Sequence, residues 1–314
     1  MGELPKARVT PSRPFLSVAV DYAGPFELKD GKTRSRKLIK GYISIFVCLA
    51  TKAVHSEVIM DLTSDGFLSM LKRFVSRRGL CSHIYSDNAT NFVGCNNELI
   101  SIQNLMKSSQ FKTYTLHSNI RWQFMPARSP HWGKLHEAAV KSCKHHLKCV
   151  LNGTHLHYEE FYTLTTQIEA ILNSRPLVPM SSDPNDLNAF TPAHFLIEQE
   201  LTAIPERDLT SDKINFTKRY HHVQLMKHFW SRWQKEYLHH LQQRNKWQRA
   251  SGPNPHVGSL VLLKEDHVPP QCWPLGRIAA FHPGKDDVVR VVTVKTKNGV
   301  VKTVVTRVSL LPVQ

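Results

Sequence analysis

The sequence predicts a mixed α/β domain with helices flanking its sheet, then a long basic helix, then a small β-rich tail. Three observations predict it. Apolar, β-prone runs over 16–23, 42–49 and 53–59 precede a helical pattern and a short strand that ends in an acid. Residues 217–249 repeat apolar positions at helical spacing among many basic ones. Residues 258–313 fall into several short β-like runs, as expected of a small barrel-like domain. The expected organisation is an extended lead-in (1–14), an α/β core (15–200), a basic helical connector (201–250) and a β-barrel-like C-terminal domain (256–314).

Each element has a local reason. Pro5, Pro11 and Pro14 keep the lead-in extended. Leu16–Ala23 is the first strand, and the basic stretch 27–40, with Asp30-Gly31 as a turn, is an exposed hairpin or loop. Tyr42–Leu49 is nearly continuous in apolar residues, the signature of a strand buried on both faces. Ala53–Ile59 alternates more and forms the third strand. Thr63 caps a helix over 64–77, whose apolar face holds Phe67, Leu68, Leu71, Phe74 and Val75, and Gly79 ends it. His83–Ser86 is a short strand, 91–106 a looser helix, and Trp122–Phe124 a brief strand. Pro130 and Gly133 break a loop before a helix that runs to about Leu151. A further helix covers 158–173, and 177–192 is a Pro-, Ser-, Asp- and Asn-rich linker or loop.

Composition narrows the partners. The chain carries 41 Lys and Arg against 25 Asp and Glu, a formal charge of +16 with pI near 9.7. Such a basic protein meets a polyanion, with nucleic acid ahead of an anionic membrane surface. No apolar run approaches the roughly 20 residues that span a bilayer, and the N-terminus lacks the apolar centre of a signal peptide. A membrane partner is therefore not expected, and an intracellular location is. Cys48, Cys81, Cys95, Cys143, Cys149 and Cys272 show no paired spacing and read as reduced, mostly buried thiols.

Three acids stand at the edge or in the middle of regular elements. Asp21 lies inside an apolar strand, Asp87 at the end of a short one, and Glu137 in the first turn of a helix. An acid in a helix's first turn is ordinary, because free backbone N–H groups favour negative charge there. Any chain with 25 acids also offers many triples by chance. Placement raises this one. Hard Mg²⁺ or Mn²⁺ takes carboxylate oxygens, waters and substrate phosphate oxygens. Two such ions about 3.5–4 Å apart serve in-line phosphoryl displacement. Asp21 would bridge both ions, Asp87 hold one and Glu137 the other. Lys141, Lys144 and Lys148 follow Glu137 on one helical face, suited to a phosphate backbone. Their bland alternative is a solvated charged face with a Glu–Lys pair.

Val20-Asp21-Tyr22-Ala23-Gly24-Pro25-Phe26, Ser86-Asp87-Asn88-Ala89-Thr90-Asn91-Phe92-Val93-Gly94 and Pro130-His131-Trp132-Gly133-Lys134-Leu135-His136-Glu137-Ala138-Ala139-Val140-Lys141-Ser142 closely resemble the integrase of BEL/Pao-type LTR retrotransposons. Leu172–Leu177, Thr191–Ile197, Trp273–Ile278 and Leu310–Pro312 also resemble it, so the likeness runs in order along nearly the whole chain. It implies an RNase H-like core over 15–200 with a D,D,E triad at Asp21, Asp87 and Glu137. It implies Mg²⁺ or Mn²⁺, with two ions expected when DNA is bound. It implies 3′-end processing of element cDNA and strand transfer into target double-stranded DNA, by a homo-oligomer acting in the nucleus. The chain departs from the family at Ala89, where Gly is usual, at Lys134 in place of a second Gly, and at His136 in place of Trp. The upstream zinc-binding His/Cys module is also missing, so a truncated copy is expected. The alternative is an inactive, DNA-binding relic of the same element. RNA cleavage is a third option, disfavoured because the tail resembles integrase.

Asn88 and Asn91 contact substrate or make turns, two readings of equal weight. Lys227, Arg232 and Lys235 lie on the basic helix and are expected to bind DNA phosphates without reading sequence. Cys143, His146 and Cys149 share a helix but lack the four ligands a structural zinc needs, and read as buried or idle.

Overall fold

A computed structural model of the protein describes residues 6–31, 37–86, 120–124, 144–151, 153–203, 218–242, 255–265, 268–286 and 288–312. The backbone divides into two units, Met1–Leu172 and Asn173–Gln314.

After a one-turn helix, α1 (Lys6–Val9), the first unit is organised around β1 (Ser17–Lys29). β2 (Leu38–Cys48) and β3 (Val54–Ile59) add to one edge of it, both antiparallel. β4 (His83–Ser86) lies parallel on the other edge, followed by parallel β5 (Arg121–Phe124). The order is β3-β2-β1-β4-β5, a mixed sheet in which the first three strands meander. The helices are α2 (Ser64–Arg78), α3 (described over 144–151) and α4 (Tyr158–Asn173), with the two-residue strand β6 (Leu156–His157) just before α4. Thr63 caps α2 as expected, its Oγ1 accepting from Gly66 N at 3.0 Å, and the Gly79 N–H closes the other end on Val75 O. The buried face of α2 is Phe67, Met70, Leu71 and Phe74, with Leu68 and Val75 half-buried beside it, so Met70 joins the expected apolar face. Phe46 stacks on Phe74 at 4.1 Å, and Phe15 meets Phe74 edge-on at 5.6 Å.

β1 is longer than expected. The segment after Ala23 continues it to Lys29, which pairs with the start of β2, so of the two expected forms, hairpin or loop, the hairpin is found. Between Ala23 and Phe26 the register with β2 shifts. There Gly24 adopts φ +133°, and a Cβ on it would meet Tyr42 Cδ1 at 2.9 Å. Only glycine takes that conformation and that approach readily, which gives the Asp21–Phe26 motif a backbone reason at Gly24.

All six residues of β3 are buried, and two of them carry ionisable side chains. His55 Nε2 lies 3.2 Å from Glu57 Oε1, and His55 Nδ1 lies 3.4 Å from Glu169 Oε1 on α4. Arg73 and Arg77 on α2 each donate to Glu57 at 2.9 Å, and Arg78 donates to Glu169 at 2.8 Å. Ser56 gives Glu169 Oε2 both its N–H and its hydroxyl, at 2.8 and 2.9 Å. Burial alone would lower the His55 pKa, but hydrogen bonds to Glu169 and Glu57 outweigh it and the pKa is raised above 6.5. Burial alone would raise both glutamates. The His55 contact, with Arg73 at Glu57 and the Ser56 N–H and Arg78 at Glu169, holds them below 4.5 instead.

The signs set a pH window. The His55 contribution is complete below pH 6.5 and is lost as pH climbs through the raised value. The Glu57 and Glu169 contributions are complete above pH 4.5 and are lost as pH falls through the lowered values. Urea unfolding midpoints are therefore expected to be highest in the mildly acidic window and to fall above neutrality. In His55→Gln the decline on the alkaline side disappears.

In the second unit, a two-stranded ribbon, β7 (Val178–Pro179) with β8 (Ala189–Phe190), precedes the short α5 (His194–Ile197) and the long α6 (Lys218–Leu241). An antiparallel sheet follows: β9 (Leu260–Leu263), β10 (Leu275–Pro283), β11 (Val289–Thr296), β12 (Gly299–Val304) and β13 (Val308–Leu310), in the order β12-β11-β10-β9-β13. Among the described residues no pairing joins β12 to β13, so the barrel-like domain is an open sheet. β9 is buried on both faces. Leu260 and Leu262 pack with Leu187, Ala189, Leu238 and Leu311, while Val261 and Leu263 pack with Ile278, Val292 and Val294.

The Pro-rich stretch 177–192, expected as a linker or loop, is a loop held within this unit. Arg277, 5% exposed, donates to the carbonyls of Ser181 and Asp186 at 2.8 Å and of Gly258 at 2.7 Å. Trp273 Nε1 reaches Ser174 Oγ at 3.2 Å, and its ring meets Trp230, Trp233 and Tyr237 edge-on at 4.9, 5.8 and 5.4 Å. Gly276 between them leaves no room for a Cβ, which would sit 2.5 Å from Val294 Cγ1. The Trp273–Ile278 motif is thus a packing device. Arg277→Ala, which strands three carbonyls, is expected to cost about 2–3 kcal/mol, read as a lower urea midpoint for the C-terminal transition.

Candidate functional site

β1 has two edges, and β2 follows one of them through both of its paired stretches, from Val18 to Ala23 and from Phe26 to Lys29. The other edge is shared. β4 pairs with Ser17–Ala19, and β6 pairs with Leu28 and Lys29. Between them, residues 20–27 have no strand partner on that edge among the described residues. Asp21 sits in this opening. Ser17–Val20 are buried, whereas the Asp21 side chain is 42% exposed. Asp21 is thus a half-exposed carboxylate at the end of a buried apolar run, on a stretch of β1 whose second edge has no strand partner among the described residues.

Both oxygens of Asp21 are engaged. Oδ1 accepts from Tyr22 N at 2.7 Å, and Oδ2 accepts from Lys144 Nζ on α3 at 2.5 Å. The two partners of that ion pair are 123 residues apart. One belongs to the first motif, and the other follows the third on the same predicted helix. The second motif arrives on β4, whose last residue, Ser86, directly precedes Asp87 in the sequence. α3 faces the core with His146, Leu147, Val150 and Leu151, which are buried, and Lys148 is exposed.

Asp87, Asn88, Asn91, Glu137 and Lys141 lie outside the described residues. Among the described residues no group of three or more His, Cys, Asp or Glu side chains is arranged to hold a metal. Asp21 fits one as a hard oxygen ligand that already draws a cation to its Oδ2. Lys227, Arg232 and Lys235 are exposed on α6, whose other face buries Leu225, Met226, Phe229, Trp230, Trp233 and Leu238. Among the described residues Cys48 and Cys81 are buried free thiols and Cys149 and Cys272 are exposed ones, while Cys95 and Cys143 lie outside them. Burial raises the Cys81 thiol to about 11, so it stays protonated. Residue typing missed two things: the Lys144–Asp21 pairing and the buried His55–Glu57–Glu169 cluster. The only signal for the first was the shared helical phase of Lys144 and Glu137. The second had none beyond charged residues inside a strand.

No described helix is long and apolar enough to cross a membrane. Residues 218–311 match the model of a family of unknown function, DUF5641. No curated protein matches the chain. Among solved structures, the chain is similar to the catalytic core domain of BIV integrase, at 16% identity over 59% of this chain and 95% of that one, with a TM-score of 0.37. It is also similar to the simian T-cell lymphotropic virus intasome in complex with PP2A regulatory subunit B56 gamma, at 11% identity over 99% of this chain and 84% of that one, with a TM-score of 0.39. Both likenesses are distant.

Proposed function

We propose that the protein is a retrotransposon integrase of BEL/Pao type, a D,D,E polynucleotidyl transferase that processes 3′ ends of element cDNA and joins them to target double-stranded DNA. The observation that carries this reading is the Asp21–Lys144 contact, which brings the strand of the first motif to the helix that follows the third. Strand register supports it too. The offset that sets Ala19 beside Tyr85 is the same offset that separates Asp21 from Asp87 in the sequence. Glu137 precedes Lys144 by two helical turns, so on a continuous helix both share the face turned to Asp21.

In this reading Asp21, Asp87 and Glu137 hold Mg²⁺ or Mn²⁺. Bound ions would activate the attacking oxygen and stabilise the leaving one. The chain's own contribution is placement. β1 carries Asp21, Asp87 follows β4 directly in the sequence, and the described part of the helix expected to carry Glu137 buries Leu147 and Val150. Lys141, Lys144 and Lys148 track phosphates beside the site. Lys227, Arg232 and Lys235 add non-specific backbone contacts, salt-sensitive by counterion release. Asn88 and Asn91 contact the substrate strand. The partners are cDNA ends, target DNA and further copies of the chain, and the site of action is the nucleus.

A two-oligonucleotide strand-transfer assay with Mg²⁺ or Mn²⁺ tests this. Joined product that vanishes with chelator is the expected result. Salt-sensitive DNA binding without product would identify the relic, and cleavage of an RNA–DNA hybrid would identify an RNase instead.

A further inference from the structure

The Lys144 ammonium stands at Asp21 Oδ2, where the proposed reading would put a metal ion. We propose that Lys144 is a placeholder cation, which neutralises Asp21 in the free protein and must leave before a divalent ion can bind. The inference rests on the metal-binding reading of Asp21, and three observations favour it. The ammonium sits on Oδ2, and the other carboxylate oxygen is taken by the Tyr22 N–H, so Oδ2 is the oxygen open to exchange. Both partners are partly exposed, 42% for Asp21 and 29% for Lys144. The ammonium can therefore swing into water on its four-carbon stem without a change of fold. Finally, Lys144 carries two possible allegiances, a carboxylate inside the opening and a phosphate outside it. A DNA phosphate that attracts Lys144 frees Asp21 for metal, and a metal at Asp21 frees Lys144 for phosphate. By linkage the two effects are equal in size. Lys144 is thus a positioning residue that couples the arrival of DNA to the loading of metal.

The coupling is the strength of a partly exposed ion pair. Such pairs are worth little, which corresponds to about a two- to fivefold change in affinity. The test is Mn²⁺ titration of the full chain without DNA, followed by the loss of the free-ion paramagnetic signal. It uses the wild type, Lys144→Met, Lys144→Arg and Asp21→Asn, with far-UV circular dichroism to compare the folds. The inference expects Lys144→Met to bind Mn²⁺ about two- to fivefold tighter, Lys144→Arg to stay at the wild-type value, and Asp21→Asn to bind more weakly than all three. If Lys144→Met binds as the wild type does while Asp21→Asn is weakened, the placeholder role is overturned and the metal site stands. If Asp21→Asn binds as well as the wild type, the metal site at Asp21 falls, and the placeholder with it. Weaker binding by Lys144→Met would assign the lysine a supporting role and also overturn the proposal.

Discussion

Asp21→Asn is expected to reduce strand-transfer product by on the order of 10²–10³-fold or more, with little change in DNA binding. The substitution keeps the shape of the side chain and removes its charge. Asp21 is partly exposed on a strand whose neighbouring residues, Val18 to Val20, are buried, so the fold does not depend on the carboxylate. Its loss removes a hard anionic ligand from the centre of the proposed site and leaves Lys144 without its partner. An unpaired lysine there is as good a phosphate contact as before, or better. Joining and binding should therefore separate. The comparison is product yield per bound complex, measured by gel in Mn²⁺, against DNA affinity at the same salt. Equal losses of both would mean that Asp21 serves binding alone.

Glu169→Ala is expected to destabilise the protein by about 3–5 kcal/mol. Glu169 is 8% exposed and accepts from Arg78, from the Ser56 N–H and from the Ser56 hydroxyl, with His55 Nδ1 close by. Alanine leaves the buried Ser56 N–H without the carboxylate it donates to, takes the ion-pair partner from Arg78, and leaves Glu57 as the carboxylate beside His55 among the described residues. The buried cluster need not be a net source of stability against an apolar replacement, but breaking it on one side is costly. Glu169→Gln keeps one acceptor oxygen and should lose less. It should also flatten the pH dependence, since much of what raises His55 is the charge and hydrogen bond of Glu169. Urea unfolding across pH 5–9 separates the two substitutions. A loss for Glu169→Ala below about 1 kcal/mol, the scale of an exposed pair, would place the cluster in effective contact with water.

Local chemistry made much of this fold legible. Apolar β-prone runs located β1 to β4, and Thr63 and Gly79 marked the ends of α2. The short valine-rich runs after Gly258 located the C-terminal sheet. What stayed hidden depends on partners distant in sequence. His55, Ser56 and Glu57 are three consecutive polar residues between apolar ones, which gives no local sign that the strand is buried throughout. They are buried because Glu169, and arginines at 73, 77 and 78, come from two helices to meet them. The proline-rich stretch near 177–192 has linker composition. Its backbone carbonyls are nonetheless collected by Arg277, 96 residues away from Ser181. The Asp21–Lys144 contact is of the same kind: the spacing of the motifs suggested an encounter, but no local rule names which lysine makes it.

The most direct test is crystallographic. Crystals of the protein with cDNA-end DNA, soaked in Mn²⁺ and measured at the manganese absorption edge, locate the ions by anomalous scattering. The account predicts a peak about 2.1 Å from a carboxylate oxygen of Asp21, shared with Asp87, with Glu137 on the same ion or its neighbour and Lys144 displaced from Asp21. Manganese found elsewhere, with Asp21 still paired to Lys144 or either of the other two carboxylates far from the first, would contradict it.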